Sequence, residues 1–208
     1  MLQFEPAPFL DFKAREEKPA WTKGLPPFIF LSRPLFENPQ SLDEILSKTE
    51  KAKLENLIPR EKIWLGNYFD PEIEKGIHSP VSIRLVDQEV GFGVFATERI
   101  PAHSFVGEYT GIVSERESKD LKEKYYCVRY TVWEMGERNF VIDAEERGHF
   151  TRFINHSATP NLLLQSVYWR GIPRMIFTAL KEIGKETQLT FDYGTFFWKE
   201  CQRTPKLL

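Results

Sequence analysis

From Val81 onward, the chain consists of short β-prone runs divided by glycine, proline and polar residues. This pattern predicts that the C-terminal half is mainly β. The predicted strands cover residues 81–86, 93–96, 104–109, 125–133, 140–143, 175–179 and 188–191. Between them, the charged segment 114–124 contains no helix-breaking residue and predicts a short surface helix.

The N-terminal part has a different pattern. Seven prolines among residues 1–39 disfavour a helix and predict an extended or irregular segment that wraps the domain. Ser41 is a candidate N-cap with Glu44 three residues later, and apolar residues then recur at helical spacing up to Pro59. We therefore predict an N-terminal extension (1–76), a β-rich domain (77–198) and a C-terminal tail (199–208).

The charge and residue composition of the chain argue against several classes of protein. The formal charge of −2 and the isoelectric point near 6.1 argue against a protein that mainly neutralises nucleic-acid phosphates. The two cysteines, Cys127 and Cys201, are far apart and predict neither a disulfide framework nor a structural metal site. The first 30 residues lack the apolar stretch of a signal peptide, and no long apolar run follows. The sequence thus predicts synthesis in the cytosol and no membrane span.

Four short segments carry most of the chemical information. They are Gly91-Phe92-Gly93, Glu108-Tyr109-Thr110-Gly111, residues 152–157 with Pro160-Asn161, and residues 189–194. The first segment also fits a dinucleotide-binding loop, but Pro101 and β-prone residues follow where that loop needs a helix. Taken alone, it also fits a β-hairpin, and Asn155-His156-Ser157 fits a turn. Each tyrosine taken alone fits a half-buried packing residue.

Together and in this order, the segments resemble the SET family of protein lysine methyltransferases over residues 81–198. The resemblance implies a mainly β SET-domain fold, with small curved sheets around a knot-like C-terminal segment. It implies methyl transfer from S-adenosylmethionine to a lysine of a histone or histone-like basic protein. Two alternatives stay open, which are a catalytically silent binding module and a methyltransferase of a non-histone bacterial protein.

The resemblance also assigns cofactor-binding residues. Glycines without side chains let backbone groups approach the cofactor, and an amide offers both a donor and an acceptor. An aromatic residue four positions after Tyr193 packs on the adenine ring in related enzymes, although C-terminal aromatics can also simply cover a core. The predicted cofactor-binding residues are Gly91, Phe92, Gly93, Arg152, Asn155, His156 and Phe197.

Three residues correspond to the family's catalytic positions. By resemblance, Tyr193 is the catalytic tyrosine and Tyr109 is the second tyrosine of the lysine channel. A phenol with a pKa of about 10 is a poor base at neutral pH, so we assign both tyrosines positioning and electrostatic roles. Phe191 occupies the position that governs how many methyl groups are added, and phenylalanine there predicts di- or trimethylation.

The sequence departs from the family at two places. Many members carry zinc-binding cysteines after the SET domain, whereas here Cys201 stands alone. We therefore expect Phe196, Phe197 and Trp198 to close the lysine channel, with Tyr126 as a further channel residue. Ile112 replaces a frequently acidic residue, which affects substrate contacts. Zinc-free members are common in bacteria and viruses, so the interpretation includes a bacterial effector that is secreted and reaches a host nucleus.

Overall fold

The computed structural model describes residues 25, 27–116, 124–133, 140–195 and 197. Its helices are α1 (Pro39–Leu54), α2 (Arg60–Tyr68) and α3 (Asp70–Lys75), with a 3-10 helix at Phe150–Phe153. Its strands are β1 (Ile29–Phe30), β2 (Leu35–Phe36), β3 (Val81–Asp87), β4 (Gly91–Ala96), β5 (Phe105–Glu108), β6 (Ile112–Glu115), β7 (Cys127–Arg129), β8 (Phe140–Asp143), β9 (Arg147–Gly148), β10 (Asn155–His156), β11 (Leu162–Trp169), β12 (Ile172–Ala179) and β13 (Thr190–Phe191).

The described strands form five small sheets rather than one large one. The largest has the order β2-β6-β8-β7, and the next has the order β11-β12-β5. The other three are the pairs β1-β9, β3-β4 and β10-β13. This arrangement confirms the predicted mainly β class with small sheets. None of the described helices is long and apolar enough to cross a membrane.

The N-terminal extension contributes strands as well as helices. β1 pairs in parallel with β9, and β2 pairs in parallel with β6. The chain around Ile29 and Leu35 therefore lies along the domain, whereas residues 1–24 lie outside the described part and their wrapping role stays a prediction. The proposed boundaries at residues 76 and 198 stay predictions.

Helix α1 begins earlier than the sequence pattern indicates. Asn38, not Ser41, is its N-cap, because the Asn38 side-chain oxygen accepts a hydrogen bond from the Ser41 amide at 2.8 Å. The helix ends at Leu54 and a second helix, α2, starts directly after Pro59. Pro59 therefore separates two helices, where the sequence predicted only the end of one.

Helix α2 was missed because its apolar residues do not lie on one buried stripe. Trp64 is 58% exposed and Tyr68 is 61% exposed, while the buried position of the helix is Gly66. A side-chain carbon at Gly66 would lie 1.8 Å from the Tyr168 carbonyl oxygen. The helix is thus held by a close approach of its backbone to β11, which leaves no hydrophobic periodicity to detect.

The strand predictions differ from the structure at several ends. The run at 140–143 is confirmed as β8, but the predicted strand at 125–133 is shorter and covers Cys127–Arg129. Strands β6 and β11 were not predicted at all. The helix predicted for 114–124 is wrong at its start, since Ser114 and Glu115 belong to β6, and 117–123 lies outside the described residues.

A parallel pairing near the C-terminus organises the functional segments. Asn155 pairs with Thr190, and His156 pairs with Phe191. Asn161 supports this crossing, because its side chain donates to the Gln188 carbonyl at 2.8 Å and accepts from the Thr190 amide at 2.9 Å. Two segments that are far apart in sequence are thereby brought side by side.

Candidate active site

A cavity of about 200 Å³ opens beside the crossing of β10 and β13. Strand β7, the β11-β12 hairpin and the chain after β13 contribute its walls. The lining residues are Tyr109, Tyr125, Cys127, Val128, Arg129, Arg152, Ile154, Leu164, Met175, Phe191, Asp192, Tyr193 and Phe197. Five of the predicted site residues, Tyr109, Arg152, Phe191, Tyr193 and Phe197, thus meet in one cavity.

Tyr193 is held at both ends. Its backbone amide donates to Nδ1 of His156 at 3.2 Å, and its hydroxyl donates to the Ile154 carbonyl at 3.0 Å. Its ring centroid lies 4.7 Å from that of Phe191 and 4.6 Å from that of Phe197. Burial, with a smaller contribution from Tyr126, raises the pKa of the Tyr193 phenol above its usual value.

Tyr109 follows β5 and is buried, with 3% of its surface exposed. Its amide donates to the Met175 carbonyl at 2.8 Å, and its hydroxyl donates to the Tyr126 carbonyl at 2.8 Å. Burial raises the pKa of this phenol well above 10, and the neighbouring Cys127 and Tyr193 add to the effect. Both tyrosines are therefore protonated at neutral pH, and each directs its hydroxyl hydrogen to a backbone carbonyl. Toward an incoming amine, their oxygens can act as hydrogen-bond acceptors.

Phe191 provides an apolar wall of the cavity beside Tyr193. It is 5% exposed, and its ring packs edge-on against Phe177 with centroids 5.0 Å apart. Ile154, Leu164 and Met175 extend the apolar surface of the cavity. A charged amine loses water on entering such a space, and the loss of water favours its neutral form.

Arg152 brings a cation into the same cavity. It is 8% exposed, its Nη2 donates to the Glu145 carbonyl at 2.8 Å, and its guanidinium carbon lies 3.8 Å from the Tyr126 ring centroid. Burial lowers the pKa of this guanidinium, although an arginine stays charged. Its Nε is buried and has no hydrogen-bond partner among the described residues. A guanidinium in a cavity wall without a carboxylate partner suits the carboxylate of an amino-acid ligand.

The glycine-rich segment lies beside this cavity and not in its wall. Asn155 donates from its side chain to the Phe92 carbonyl at 3.0 Å, which joins β4 to β10. A side-chain carbon at Gly93 would lie 3.2 Å from the Asn155 amide nitrogen and 2.7 Å from that of Gln188. A glycine at position 93 therefore lets β4 pack closely against the crossing without displacing these two side chains.

The SET domain model matches residues 91–194, which is half of the 208-residue chain. The chain belongs to the SET-domain family. The resemblance predicted from the four segments is confirmed, and all four lie within the matched range.

Several histone-lysine N-methyltransferases are similar to this SET domain. The enzyme specific for lysine 4 of histone H3 from Aspergillus fumigatus is 35% identical over 105 residues, covering 49% of this chain and 8% of that protein. SUVH5 of Arabidopsis thaliana, specific for lysine 9, is 35% identical over 113 residues, covering 50% and 14%. SUV39H1 of Xenopus laevis is 31% identical over 130 residues, covering 59% and 31%. The chain thus spans less than a third of each of these relatives.

A solved structure has the same fold. A chain in a humanized mutant of the Chaetomium thermophilum Polycomb Repressive Complex 2 aligns with a TM-score of 0.52 and 27% identity, covering 60% of this chain and 16% of that one. These relatives give no support to the bacterial or viral origin, or to secretion into a host.

The remaining predicted residues have different placements in the SET domain. The ring of Tyr126 packs against the Arg152 guanidinium, and the Tyr126 carbonyl accepts a hydrogen bond from the Tyr109 hydroxyl. The cavity itself is lined by the neighbouring residue, Tyr125. The predicted channel residues Phe196 and Trp198 lie outside the described residues. Within the described part of the chain, no group of His, Cys, Asp or Glu residues is arranged to hold a metal ion.

The sequence pattern missed several cavity residues of the SET domain. Cys127, Val128 and Arg129 come from β7, and Leu164 comes from the unpredicted strand β11. The β7 residues lay inside a predicted strand, but the sequence does not show which of its side chains face the cavity. Leu164 reaches the cavity through the pairing of β11 with β12 across the two-residue turn Arg170-Gly171, a local hairpin signal that could have revealed both strands.

Proposed function

We propose that this SET domain is an S-adenosylmethionine-dependent protein-lysine N-methyltransferase, and that it acts on an exposed lysine of a histone or histone-like basic protein. The observation that carries the proposal is the convergence of two protonated phenols, Tyr109 and Tyr193, on an apolar-walled cavity that Arg152 also lines. The names of its histone-modifying relatives support the same reaction.

The cofactor residues present in the chain fit the proposal. S-adenosylmethionine supplies an electrophilic methyl group when it is bound. Arg152 would hold the carboxylate of its amino-acid end, because it lines the cavity and has no carboxylate partner among the described residues. Asn155 and the β4 backbone, which are hydrogen-bonded to each other, would form the adjoining surface. Phe197 would pack on the adenine ring through its aromatic face.

The cavity residues would prepare the lysine for attack. A lysine amine has a reference pKa of about 10.4, and the apolar wall of Phe191, Leu164 and Met175 favours the neutral, nucleophilic form. The oxygens of Tyr109 and Tyr193 would then accept the amine N–H groups and align the nitrogen lone pair. The proton leaves to water, because both phenols are themselves protonated. Turnover should therefore rise between pH 7 and 9, as more of the substrate lysine is neutral.

The substrate would approach along strand β7. This strand lies at the edge of the described four-stranded sheet and contributes Cys127 and Arg129 to the cavity. An extended peptide can add to a strand edge through backbone hydrogen bonds while its side chains enter pockets. Asp192, whose side chain is 64% exposed, lies in the cavity wall and would attract a basic peptide.

The identity of residue 191 supports addition of more than one methyl group. Phe191 leaves an apolar surface where a tyrosine would place a hydroxyl, so a methylated amine can turn and react again. We expect wild type to yield di- and trimethyllysine and Phe191→Tyr to shift the products toward monomethyllysine. Mass spectrometry of a methylated histone peptide measures the distribution. The same product distribution for both proteins would contradict this assignment.

The reaction itself is tested with labelled S-adenosylmethionine and a mixture of purified histones and other basic proteins. We expect label on a lysine, and we expect Tyr193→Phe to reduce turnover by about 100-fold or more while its affinity for S-adenosylhomocysteine stays within about twofold. Tyr68→Phe is the matched control, since Tyr68 is 61% exposed on α2 and is not one of the residues that line the cavity. A folded Tyr193→Phe protein with wild-type turnover would overturn the proposal, as would cofactor binding without transfer to any of these proteins.

A further inference from the structure

The N-terminal extension reaches the surroundings of Arg152 through strand β1. The Ile29 amide donates to the Glu146 carbonyl at 2.8 Å, and the Leu31 amide donates to the Gly148 carbonyl at 2.8 Å. These bonds fix β1 alongside the segment that carries both the Glu145 carbonyl, which holds Arg152, and the 3-10 helix on which Arg152 lies. The position of the residue just before β1, Phe28, is thereby fixed as well.

Phe28 packs directly against Arg152. It is 9% exposed, its ring meets that of Phe153 edge-on with centroids 5.6 Å apart, and the Arg152 guanidinium carbon lies 5.0 Å from its centroid. The same carbon lies 3.8 Å from the Tyr126 centroid and 4.9 Å from that of Phe153. We call Phe28, Tyr126 and Phe153 the aromatic enclosure. Two of its rings come from the matched SET region, and Phe28 comes from the extension.

The aromatic enclosure replaces the partner that a buried arginine ordinarily has. Among the described residues, no carboxylate lies within ion-pair distance of Arg152, whose side chain donates to one backbone carbonyl. A guanidinium attracted to ring faces keeps its N–H edge turned away from those faces. Loss of the Phe28 ring would open a space beside a side chain with many rotamers and allow it to turn.

We propose that Phe28 is a positioning residue for the cofactor site, because it holds the Arg152 guanidinium in the orientation that receives the carboxylate of the cofactor's amino-acid end. The inference rests on the proposed function, and it makes the N-terminal extension a part of the binding site. Phe28 does not touch the reacting atoms, so it acts on cofactor affinity and leaves the transfer step itself unchanged.

Two ligands distinguish a role of Phe28 in positioning Arg152 from a general role in stabilising the fold. S-adenosylhomocysteine carries the amino-acid end, and 5′-methylthioadenosine lacks it. By calorimetry, we expect Phe28→Ala to weaken S-adenosylhomocysteine binding at least tenfold and 5′-methylthioadenosine binding less than twofold. We also expect the KM for S-adenosylmethionine to rise tenfold, with kcat at saturation within threefold of wild type. Phe28→Tyr, which keeps the ring, should bind both ligands like wild type.

Ile29→Ala is the matched control, because Ile29 is the next residue, lies in β1 and is 50% exposed. It should bind both ligands like wild type. In an Arg152→Met background, Phe28→Ala should cause no further loss of S-adenosylhomocysteine affinity, since the two residues act as one unit. Equal losses for both ligands in the single variant, or no loss for either, would overturn the inference. A wild-type protein that binds neither ligand would instead overturn the proposed function, and this result is visible before any variant is made.

Discussion

Arg152 and Arg174 are both buried arginines of the same domain, but their charges are compensated in different ways. Arg174 is 3% exposed and forms a two-pronged ion pair with Glu108, which is 6% exposed. Its guanidinium also lies 4.7 Å from the Trp169 ring centroid. Arg152 has aromatic rings and one backbone carbonyl around it, and its Nε lacks a partner among the described residues.

The difference separates a structural arginine from one that is available to a ligand. Glu108 directly precedes Tyr109 in the chain, so the Glu108–Arg174 pair holds the strand end on which Tyr109 lies. Burial raises the pKa of Glu108 despite the nearby Arg174, which indicates how costly an unpaired carboxylate would be there. Arg152 is a buried charge without a carboxylate partner, so its burial costs free energy. A ligand that brings a carboxylate would offset this cost.

The largest effect should come from breaking the compensated pair. Arg174→Met leaves the Glu108 carboxylate buried and unpaired, and we expect the free energy of unfolding to fall by about 3–5 kcal/mol. Urea denaturation measures this loss. Arg174→Met combined with Glu108→Gln removes both charges and should recover part of it. A double variant that is less stable than Arg174→Met would show that the pair is not the main source of the effect.

Arg152→Met, unlike Arg174→Met, should lower ligand affinity strongly and the free energy of unfolding only slightly. We expect S-adenosylhomocysteine affinity to fall by about 2 kcal/mol or more, because a charge-assisted hydrogen bond is lost. The free energy of unfolding should change by less than about 1 kcal/mol, because no buried charge is left without its partner. Calorimetry and urea denaturation on the same sample give both values. A large loss of stability with unchanged affinity would make Arg152 a structural residue like Arg174.

His149 is a third buried basic residue, and burial keeps its side chain neutral. It packs against Phe30 of β1 with centroids 5.0 Å apart, and burial, reinforced by His78, lowers its pKa from 6.5 to about 3. The unfolded chain therefore binds a proton below pH 6.5 that the folded protein does not bind. Stability should fall as the pH decreases from 6.5 to 5, with a limiting slope of about 1.4 kcal/mol per pH unit.

The slope for His149 is measured by urea denaturation at several pH values. His149→Gln should have a shallower slope over the same window, where the ordinary carboxylates stay ionised. Identical slopes for wild type and His149→Gln would mean that His149 is not the group responsible.

The smallest effect is expected where an ion pair is exposed. Arg99 and Glu182 approach to 2.7 Å, but their side chains are 66% and 57% exposed. Glu182→Gln should change the free energy of unfolding by about 0.5 kcal/mol or less, because water screens both charges. A loss of stability as large as that of Arg174→Met would mean that burial does not explain why the Glu108–Arg174 pair contributes more to stability than the Arg99–Glu182 pair.

Local patterns were enough to predict much of this molecule. The run at 140–143 matches β8, and the helical spacing after Pro39 matches α1 apart from its cap. The four segments identified the family, because their residue types and order are themselves local. Tyr109, Phe191 and Tyr193 were therefore placed in one site before any geometry was known.

Contacts between distant segments could not be predicted in the same way. Nothing in the sequence around Phe28 indicates that its ring lies beside Arg152, since that contact depends on the pairing of β1 with β9. Leu164 was missed because strand β11, with its mixture of polar and apolar residues, was not recognised as a strand. Helix α2 was missed because its fit to β11 depends on the absence of a side chain at Gly66.

A crystal structure of the protein with S-adenosylhomocysteine and a lysine-containing histone peptide tests the central claim most directly. We predict the ligand carboxylate within hydrogen-bonding distance of the Arg152 guanidinium, and the peptide lysine nitrogen beside the hydroxyls of Tyr109 and Tyr193. A ligand whose amino-acid end points away from Arg152, or a lysine that binds outside the cavity between the two tyrosines, would contradict the account.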